Sequence, residues 1–344
     1  MSNEITICNR SIGQDFSPFV IPEIGINHEG DFDKAKQMIK DAFDAKAECI
    51  KFQCHIIDDE MIKNNVIPGN TTESIWEIMN RCSLTEEEEI KLKDYAENLG
   101  MIFLSTPFSR KAADRLNSMD VDAFKIGSGE CNNYPLLKHI ASFGKPIILS
   151  TGMNNIESIS ISVKILEKSN VDFALLHTTS MYPTPYEKVR LGALSDLSKH
   201  FPNVVIGLSD HSLGNYTCFG AVSLGASILE KHFTSDKTWP GPDIPVSIDP
   251  FELKNLIEGS TAIHQSLNGE KKILAEEKPT IDFAYACVVS IKEIKKGDIL
   301  SKENIWVKRP GTGKIFALDF EKVLNKVAKS DIPKDSQLDW NMFE

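Results

Sequence analysis

FVIPEIGINHEGDFDKAKQMIKDAFDAKAECIKFQ, residues 19–53, decides how this chain folds. The stretch opens on a short apolar run, FVIPEIG (19–25), and closes on another, CIKFQ (49–53). Between them DKAKQMIKDAFDAKA (33–47) sets Ala35, Met38, Ile39, Ala42 and Phe43 at the 3.6-residue spacing of a helix with one buried face. The unit is strand, helix, strand, and it recurs. Further runs lie at IFLST (102–106), AFKIG (123–127), PIILST (146–151), FALLHT (173–178), VVIGLS (204–209) and SILEKHF (227–233). Most are rich in β-branched and aromatic residues, and several end in Ser, Thr or Gly, as strands do before a turn. The stretch TEEEEIKLKDYAENLG (85–100) shows how the intervening segments read: a Thr cap, acids in the first turn, Gly at the end. These alternations predict an α/β fold, a (β/α)8 TIM barrel over residues 1–265. An open doubly wound sheet competes, but no GxGxxG follows the first strand.

Past residue 265 the alternation stops. SLNGEKKILAEEKPTID (266–282) is polar, contains Gly and Pro, and reads as a linker. From 283 to 344, short apolar runs separated by turns such as KKGD predict a small, strand-rich domain. A length of 344 residues suits one large domain and one small one. With 41% hydrophobic and 25% charged residues, the composition is that of a water-soluble globular protein. No apolar run approaches the roughly 20 residues that cross a bilayer. MSNEITICNRS lacks the basic-then-apolar order of a secretory leader, so a cytoplasmic location is expected. The seven cysteines are odd in number, scattered and free of CxxC pairs, as reduced thiols would be. A net charge of -11 argues against nucleic acid and anionic membrane as partners. It leaves room for a small anion, because a few lysines focused in a cleft suffice to bind one.

A TIM barrel carries its active site at the C-terminal ends of its strands, and there this sequence places polar residues eight times over. They are Glu23, with Asn27 and His28 following; Lys51 and Gln53; Ser105 and Thr106; Lys125, Ser128 and Glu130; Ser150 and Thr151; His177 and Thr178, then Ser180 and Tyr182; Ser209, Asp210 and His211; and Glu230, Lys231 and His232. A lysine in an apolar strand is costly to bury unpaired. Lys51 and Lys125 therefore point either to an anion in the barrel mouth or to ion pairs with Glu23 or Glu230. GSGE (127–130) offers backbone N–H groups and the Ser128 hydroxyl to a phosphate. His211 and His232 sit just past adjacent strands, where two imidazoles suit Zn, Mn, Fe or Co with positions left open for water and substrate. The competing reading of each is a hydrogen-bonded structural histidine.

These residues fall in longer, ordered motifs: EIGINHEG (23–30), KFQCHI (51–56), VIPGN (66–70), STPFSR (105–110), FKIGSGECNNYPLL (124–137), STGM (150–153), YPTPY (182–186), GLSDH (207–211), KHFT (231–234) and PGPD (240–243). The set resembles the bacterial N-acetylneuraminate (sialic acid) synthases over nearly the whole chain. The C-terminal stretch is similar to their antifreeze-like (SAF) domain. The resemblance implies condensation of phosphoenolpyruvate with open-chain N-acetylmannosamine and water, giving N-acetylneuraminate and phosphate. It implies a divalent ion on His211 and His232, manganese first, with magnesium or cobalt as alternatives. It implies phosphoenolpyruvate held at its carboxylate by Lys51 and Thr106, and at its phosphate by Lys125, Ser128, Ser150, Ser180 and Ser209. The implied sugar contacts are Gln53, Asn70, Glu130, Tyr182 and Asp243. In a domain-swapped homodimer the partner chain would add Arg309, with Thr280 and Phe283 nearby. Glu130, Lys51 and Lys125 are the expected catalytic residues, Glu130 acting on the water that adds.

Five positions depart from the pattern: Ser180 where many members carry Asn, Phe52 for His, Cys54 for Thr, Lys231 for Arg and Trp239 for Arg. They bear on the sugar rather than on the reaction. Related synthases make legionaminic or pseudaminic acid from diacetamido-trideoxy sugars, and VIPGN and GPDI look closer to the sialic acid branch. A third possibility is a non-catalytic protein that binds sugar or ice.

Overall fold

The computed structural model describes residues 4–69 and 71–344. The chain divides into two compact units, Met1–Asn268 and Gly269–Glu344. The first begins with an antiparallel hairpin, β1 (Glu4–Ile7) and β2 (Arg10–Gly13). Eight parallel strands follow: β3 (Phe19–Gly25), β4 (Cys49–Cys54), β5 (Ile102–Pro107), β6 (Phe124–Ile126), β7 (Ile147–Ser150), β8 (Phe173–Thr178), β9 (Val205–Asp210) and β10 (Ile228–His232). Each pairs with the next, and β10 returns to β3, closing the TIM barrel that the alternation predicts. The helix expected over 33–47 spans Phe32–Asp44, capped by Asp31. The one expected over 85–100 spans Glu86–Asn98, and Thr85 forms a capping box with Glu88.

Side chains alternate across each strand, and that alternation builds two cores. Outward residues such as Val20, Ile50, Phe52, Phe103, Phe124 and Leu175 join the layer between strands and helices. Inward residues Phe19, Ile21, Cys49, Leu104, Ile148, Leu176 and Ile228 fill the lower lumen, together with Ile5, Ile7 and Ile12 of the hairpin. The hairpin plugs the N-terminal end of the barrel. One or two steps further along each strand the inward positions turn polar, which sets the chemistry at the opposite end. Gly207 serves this packing, because a Cβ there would come within 2.5 Å of Ile228 O and Leu176 Cδ2.

The second unit has its own apolar core, formed by Val288, Ile294, Leu300, Ile305, Ile315, Val323, Ile332 and Leu338 among others. Strands β11 (Cys287–Ser290) and β12 (Ile305–Lys308) pair antiparallel within it. The stretch read as a linker is partly helical. A helix runs through Pro250–Ser266, and another spans Lys278–Ala284 with Pro279 in its first turn. Proline fits the first turn of a helix because the N–H it lacks would have no partner there, so its presence did not mark a break.

Candidate active site

Inward-facing residues of β3, β4, β6 and β10 form a buried quartet. Lys51 Nζ stands 2.5 Å from Glu23 Oε2 and 3.8 Å from Glu230 Oε2, and Lys125 Nζ stands 3.6 Å from Glu230 Oε1. All four side chains are at most 9% exposed. Both ion pairs weighed for the lysines are therefore present, and each lysine also keeps a hydroxyl. Lys51 donates to Thr106 Oγ1 (3.1 Å) and Lys125 to Ser150 Oγ (2.7 Å). Gln53 donates to Glu23 Oε1 (2.9 Å) and Ser209 to Glu230 Oε1 (3.0 Å). Glu23 Oε2 and Glu230 Oε2 make no hydrogen bond of ordinary geometry despite lying within ion-pair range. Burial pushes the Glu23 carboxyl up to about 7, against the pull of Lys51. Burial likewise brings the Lys125 ammonium down to about 8, against Glu230. Desolvation alone would raise Glu230, but Lys125 and Lys51 together hold it below the usual carboxylate range.

Beside Lys125 lies a small cradle. The Gly152 N–H donates to Ser128 Oγ (3.0 Å), and Asn154 Nδ2 donates to Ser128 O (3.2 Å). A Cβ on Gly152 would sit 2.5 Å from Ser180 Oγ and 2.7 Å from Ser128 Oγ. Glycine is thus what allows two hydroxyls and a backbone N–H to converge near an ammonium, a donor set suited to a phosphate. Gly152 was not singled out from sequence; its place in the turn directly after Ser150 and Thr151 was the available signal.

His211 and His232 meet at the mouth with ring centroids 5.4 Å apart. Tyr182 stacks on His211 at 4.1 Å and lies edge-on to His232 at 5.8 Å. His211 Nδ1 lies 2.9 Å from the Thr179 carbonyl. That partner assigns the proton to Nδ1 and leaves Nε2 free to ligate. His232 Nδ1 is buried without a hydrogen bond, 3.7 Å from Asp243 Oδ2. Burial holds both imidazoles below their usual range, in the neutral form that binds a metal. The pair fits a divalent ion with open positions. Among the described residues no group of three or more His, Cys, Asp or Glu is placed to hold a metal ion, so the two imidazoles would need water or substrate to complete a site.

Outside the quartet opens a cavity of about 690 Å³. Gln53, Ser180, Tyr182, His232 and Asp243 line it, with His55, Glu60, Phe108 and an apolar wall that includes Ile26, Ile75, Ile78 and Met79. Burial raises the Asp243 carboxyl to about 6 and the Tyr182 phenol above its ordinary value. Glu130 is half-buried at the end of the turn Ser128–Glu130, where Asn133 Nδ2 donates to its Oε2 at 2.5 Å, and it is absent from the cavity wall. His177 corrects the expectation at the end of β8: it faces the helix layer, with Nε2 2.7 Å from Val189 O, and only Thr178 has the inward parity. Thr280, Phe283 and Arg309 belong to the second unit. Asn70 lies outside the described residues.

Residues 38–272 match the NeuB family model, and residues 285–344 match the SAF domain. An N,N'-diacetyllegionaminic acid synthase of Campylobacter jejuni is 36% identical over 92% of this chain and 97% of its own. The human N-acetylneuraminate-9-phosphate synthase is 33% identical over 98% of both chains. A crystal structure of N-acetylneuraminic acid synthetase from Leptospira borgpetersenii superposes with a TM-score of 0.75 at 34% identity, covering 82% of this chain and 96% of that one.

Proposed function

The chain belongs to the NeuB family of phosphoenolpyruvate-condensing synthases, and from that premise we propose that it joins phosphoenolpyruvate to the open-chain form of an N-acetylated hexosamine. N-acetylmannosamine is the first choice, giving N-acetylneuraminate. The carrying observation is the buried quartet, in which two lysines with separate hydroxyl partners lie beside a pair of neutral imidazoles.

Phosphoenolpyruvate carries its carboxylate and its phosphate on one carbon, so it needs two cation-and-hydroxyl sets held apart. Lys51 and Thr106 take the carboxylate. Lys125, Ser150, Ser128, Ser180 and the Gly152 N–H take the phosphate, and Ser209 lies alongside through Glu230. Glu23 and Glu230 balance both lysines before substrate arrives, which spares an unpaired buried charge. With phosphoenolpyruvate fixed, its methylene carbon is presented to the aldehyde carbon in the outer cavity. Gln53, Tyr182, Asp243 and Asn70 orient the sugar. A divalent ion held by His211 and His232, manganese first, would act as a Lewis acid toward the aldehyde oxygen. The enol π pair forms the C–C bond and leaves a cationic C2. Water adds to C2 and loses a proton, for which Glu130 is the candidate base. The former aldehyde oxygen takes up a proton to become a hydroxyl, and phosphate departs with its bridging oxygen as the C2 hydroxyl gives up its remaining proton and becomes the ketone.

A second reading, the use of a 2,4-diacetamido-trideoxy sugar, is favoured by the 36% identity to the Campylobacter legionaminic acid synthase. The homodimer, and a partner chain's delivery of Arg309, Thr280 and Phe283, belong to the same proposal and rest on the family likeness. The test is phosphate release from phosphoenolpyruvate with manganese, sugar by sugar. Release should require an N-acetylated sugar, and His232→Ala should abolish it while circular dichroism and phosphoenolpyruvate binding persist. Full turnover in His232→Ala would remove the metal from the reading. Should none of the sugars support turnover, the chain would be a protein that binds without catalysing.

A further inference from the structure

We infer that His55, braced by Glu60, is a positioning residue for the condensation: it fixes the side-chain amide of Gln53 before the sugar arrives. The inference rests on the reading above, in which Gln53 orients the sugar, and it gives a part to two residues that the reading leaves idle.

Lys51, Gln53 and His55 alternate along KFQCHI (51–56), so strand parity sets them on one side. Strand β4 ends at Cys54, and the chain then turns into the short helix Ile57–Glu60. That turn brings Glu60 back onto His55. Nδ1 lies 2.7 Å from Glu60 Oε2, and both side chains are at most 10% exposed. The other nitrogen, Nε2, lies 3.1 Å from Gln53 Oε1. Phe108, the residue after β5, stacks on the ring at 4.7 Å between centroids and 10° between planes. An imidazole has two polar positions in its plane; both are taken and one ring face is covered. His55 therefore has little left to offer a substrate directly, and acts through Gln53. Glu60 is anchored in its turn. The Lys111 N–H donates to the neighbouring Asp59 Oδ2 at 2.9 Å, which ties the short helix to the start of the helix Arg110–Ser118.

The far end of the amide is held as well. Gln53 Nε2 donates to Glu23 Oε1 at 2.9 Å. Gly25 makes room for that bond: it sits at φ +54°, and a Cβ there would stand 3.2 Å from both atoms. An amide carries two N–H donors and two carbonyl lone pairs. His55 and Glu23 take one of each, and one of each remains at the wall of the cavity that Gln53 lines. A loose glutamine would lose its rotamer freedom when the sugar binds; here that freedom is already gone. Removing His55 releases the Oε1 end, while Glu23 keeps its own hold on Lys51 at 2.5 Å. The effect should therefore fall on the sugar and spare phosphoenolpyruvate.

The experiment uses the full chain with manganese and phosphoenolpyruvate, and follows both KM values. An asparagine amide nitrogen reaches the place of Nδ1, and a glutamine amide nitrogen the place of Nε2. His55→Asn thus keeps Glu60 and loses Gln53. It should raise the sugar KM about tenfold or more and leave the phosphoenolpyruvate KM within about twofold. His55→Gln keeps Gln53 and should stay within about threefold of the wild-type sugar KM. On a Gln53→Ala background, His55→Asn should change the sugar KM by less than about twofold. A histidine that only supports the fold predicts otherwise. Equal impairment in the two variants, an equal rise in both KM values, or the same loss with and without Gln53 would each overturn the inference. A second measurement needs no turnover: side-chain N–H exchange, by NMR with isotopically labelled glutamine. The chain has five glutamines, of which Gln14, Gln37 and Gln265 are exposed. The Gln53 amide, assigned by its loss in Gln53→Ala, should exchange at least about tenfold more slowly than those three. Equal exchange rates would overturn the inference. Should no sugar support turnover, the proposed function fails by itself, and the amide exchange still decides whether Gln53 is held.

Discussion

Asp210 and Lys231 stand one residue before the two histidines, and strand alternation turns them away from the lumen. Lys231 is fully buried, bonded to Asp210 Oδ2 at 2.6 Å and to the Ser212 carbonyl. Asp210 Oδ2 also accepts from Thr217 and Ser212 (2.8 and 2.9 Å). Lys231→Met strands that carboxylate and should cost about 3–5 kcal/mol in urea unfolding, whereas pairing it with Asp210→Leu should recover most of the loss. Gly152→Ala should raise the KM for phosphoenolpyruvate about tenfold or more and leave the sugar KM alone, since the methyl lands between Ser128 and Ser180. At this scale the sequence was legible where a residue type is improbable in its setting. Two lysines and two histidines at strand ends stand out in that way. It was opaque where the role is an absence: Gly152 contributes by having no side chain. His177 and Thr178 show a finer limit. Both sit at a strand end, and the register within the closed barrel decides which one faces the mouth.

Among the elements, the eight barrel strands fall within a residue or two of the apolar runs, because apolar runs of that length punctuated by capped helices admit few other arrangements. The hairpin β1–β2 was not foreseen. Its strands have four residues each, too few for periodicity to register, and their pairing is rewarded only by the barrel floor they cover. Ile12→Ala should therefore lower stability by about 2–5 kcal/mol with both KM values unchanged, a thermodynamic effect at the end away from the chemistry. The helix Ile75–Cys82 was likewise unread. Eight residues with a half-exposed apolar face carry a weak signal, and the wall it forms exists only once Ile26 is folded against it.

On the scale of the whole molecule, the two units have separate cores and divergent charge. Residues 1–268 hold 24 Lys and Arg against 36 Asp and Glu, whereas the rest hold 14 against 13, so the barrel unit accounts for the acidity. With Val288, Leu300, Ile305, Val323 and Leu338 packed together, residues 269–344 expressed alone should melt in one cooperative transition by calorimetry. A featureless trace would show that this core does not suffice.

The plugged floor has a further kinetic meaning. A barrel stopped at one end has a single doorway, and in the proposed reading the phosphoenolpyruvate station lies behind the sugar station on the way in. Traffic must then queue: the three-carbon acid enters before the aldehyde, and the nine-carbon product clears the passage before inorganic phosphate can follow. A sugar that arrives early blocks the corridor, so excess sugar should act as a dead-end inhibitor that added phosphoenolpyruvate relieves.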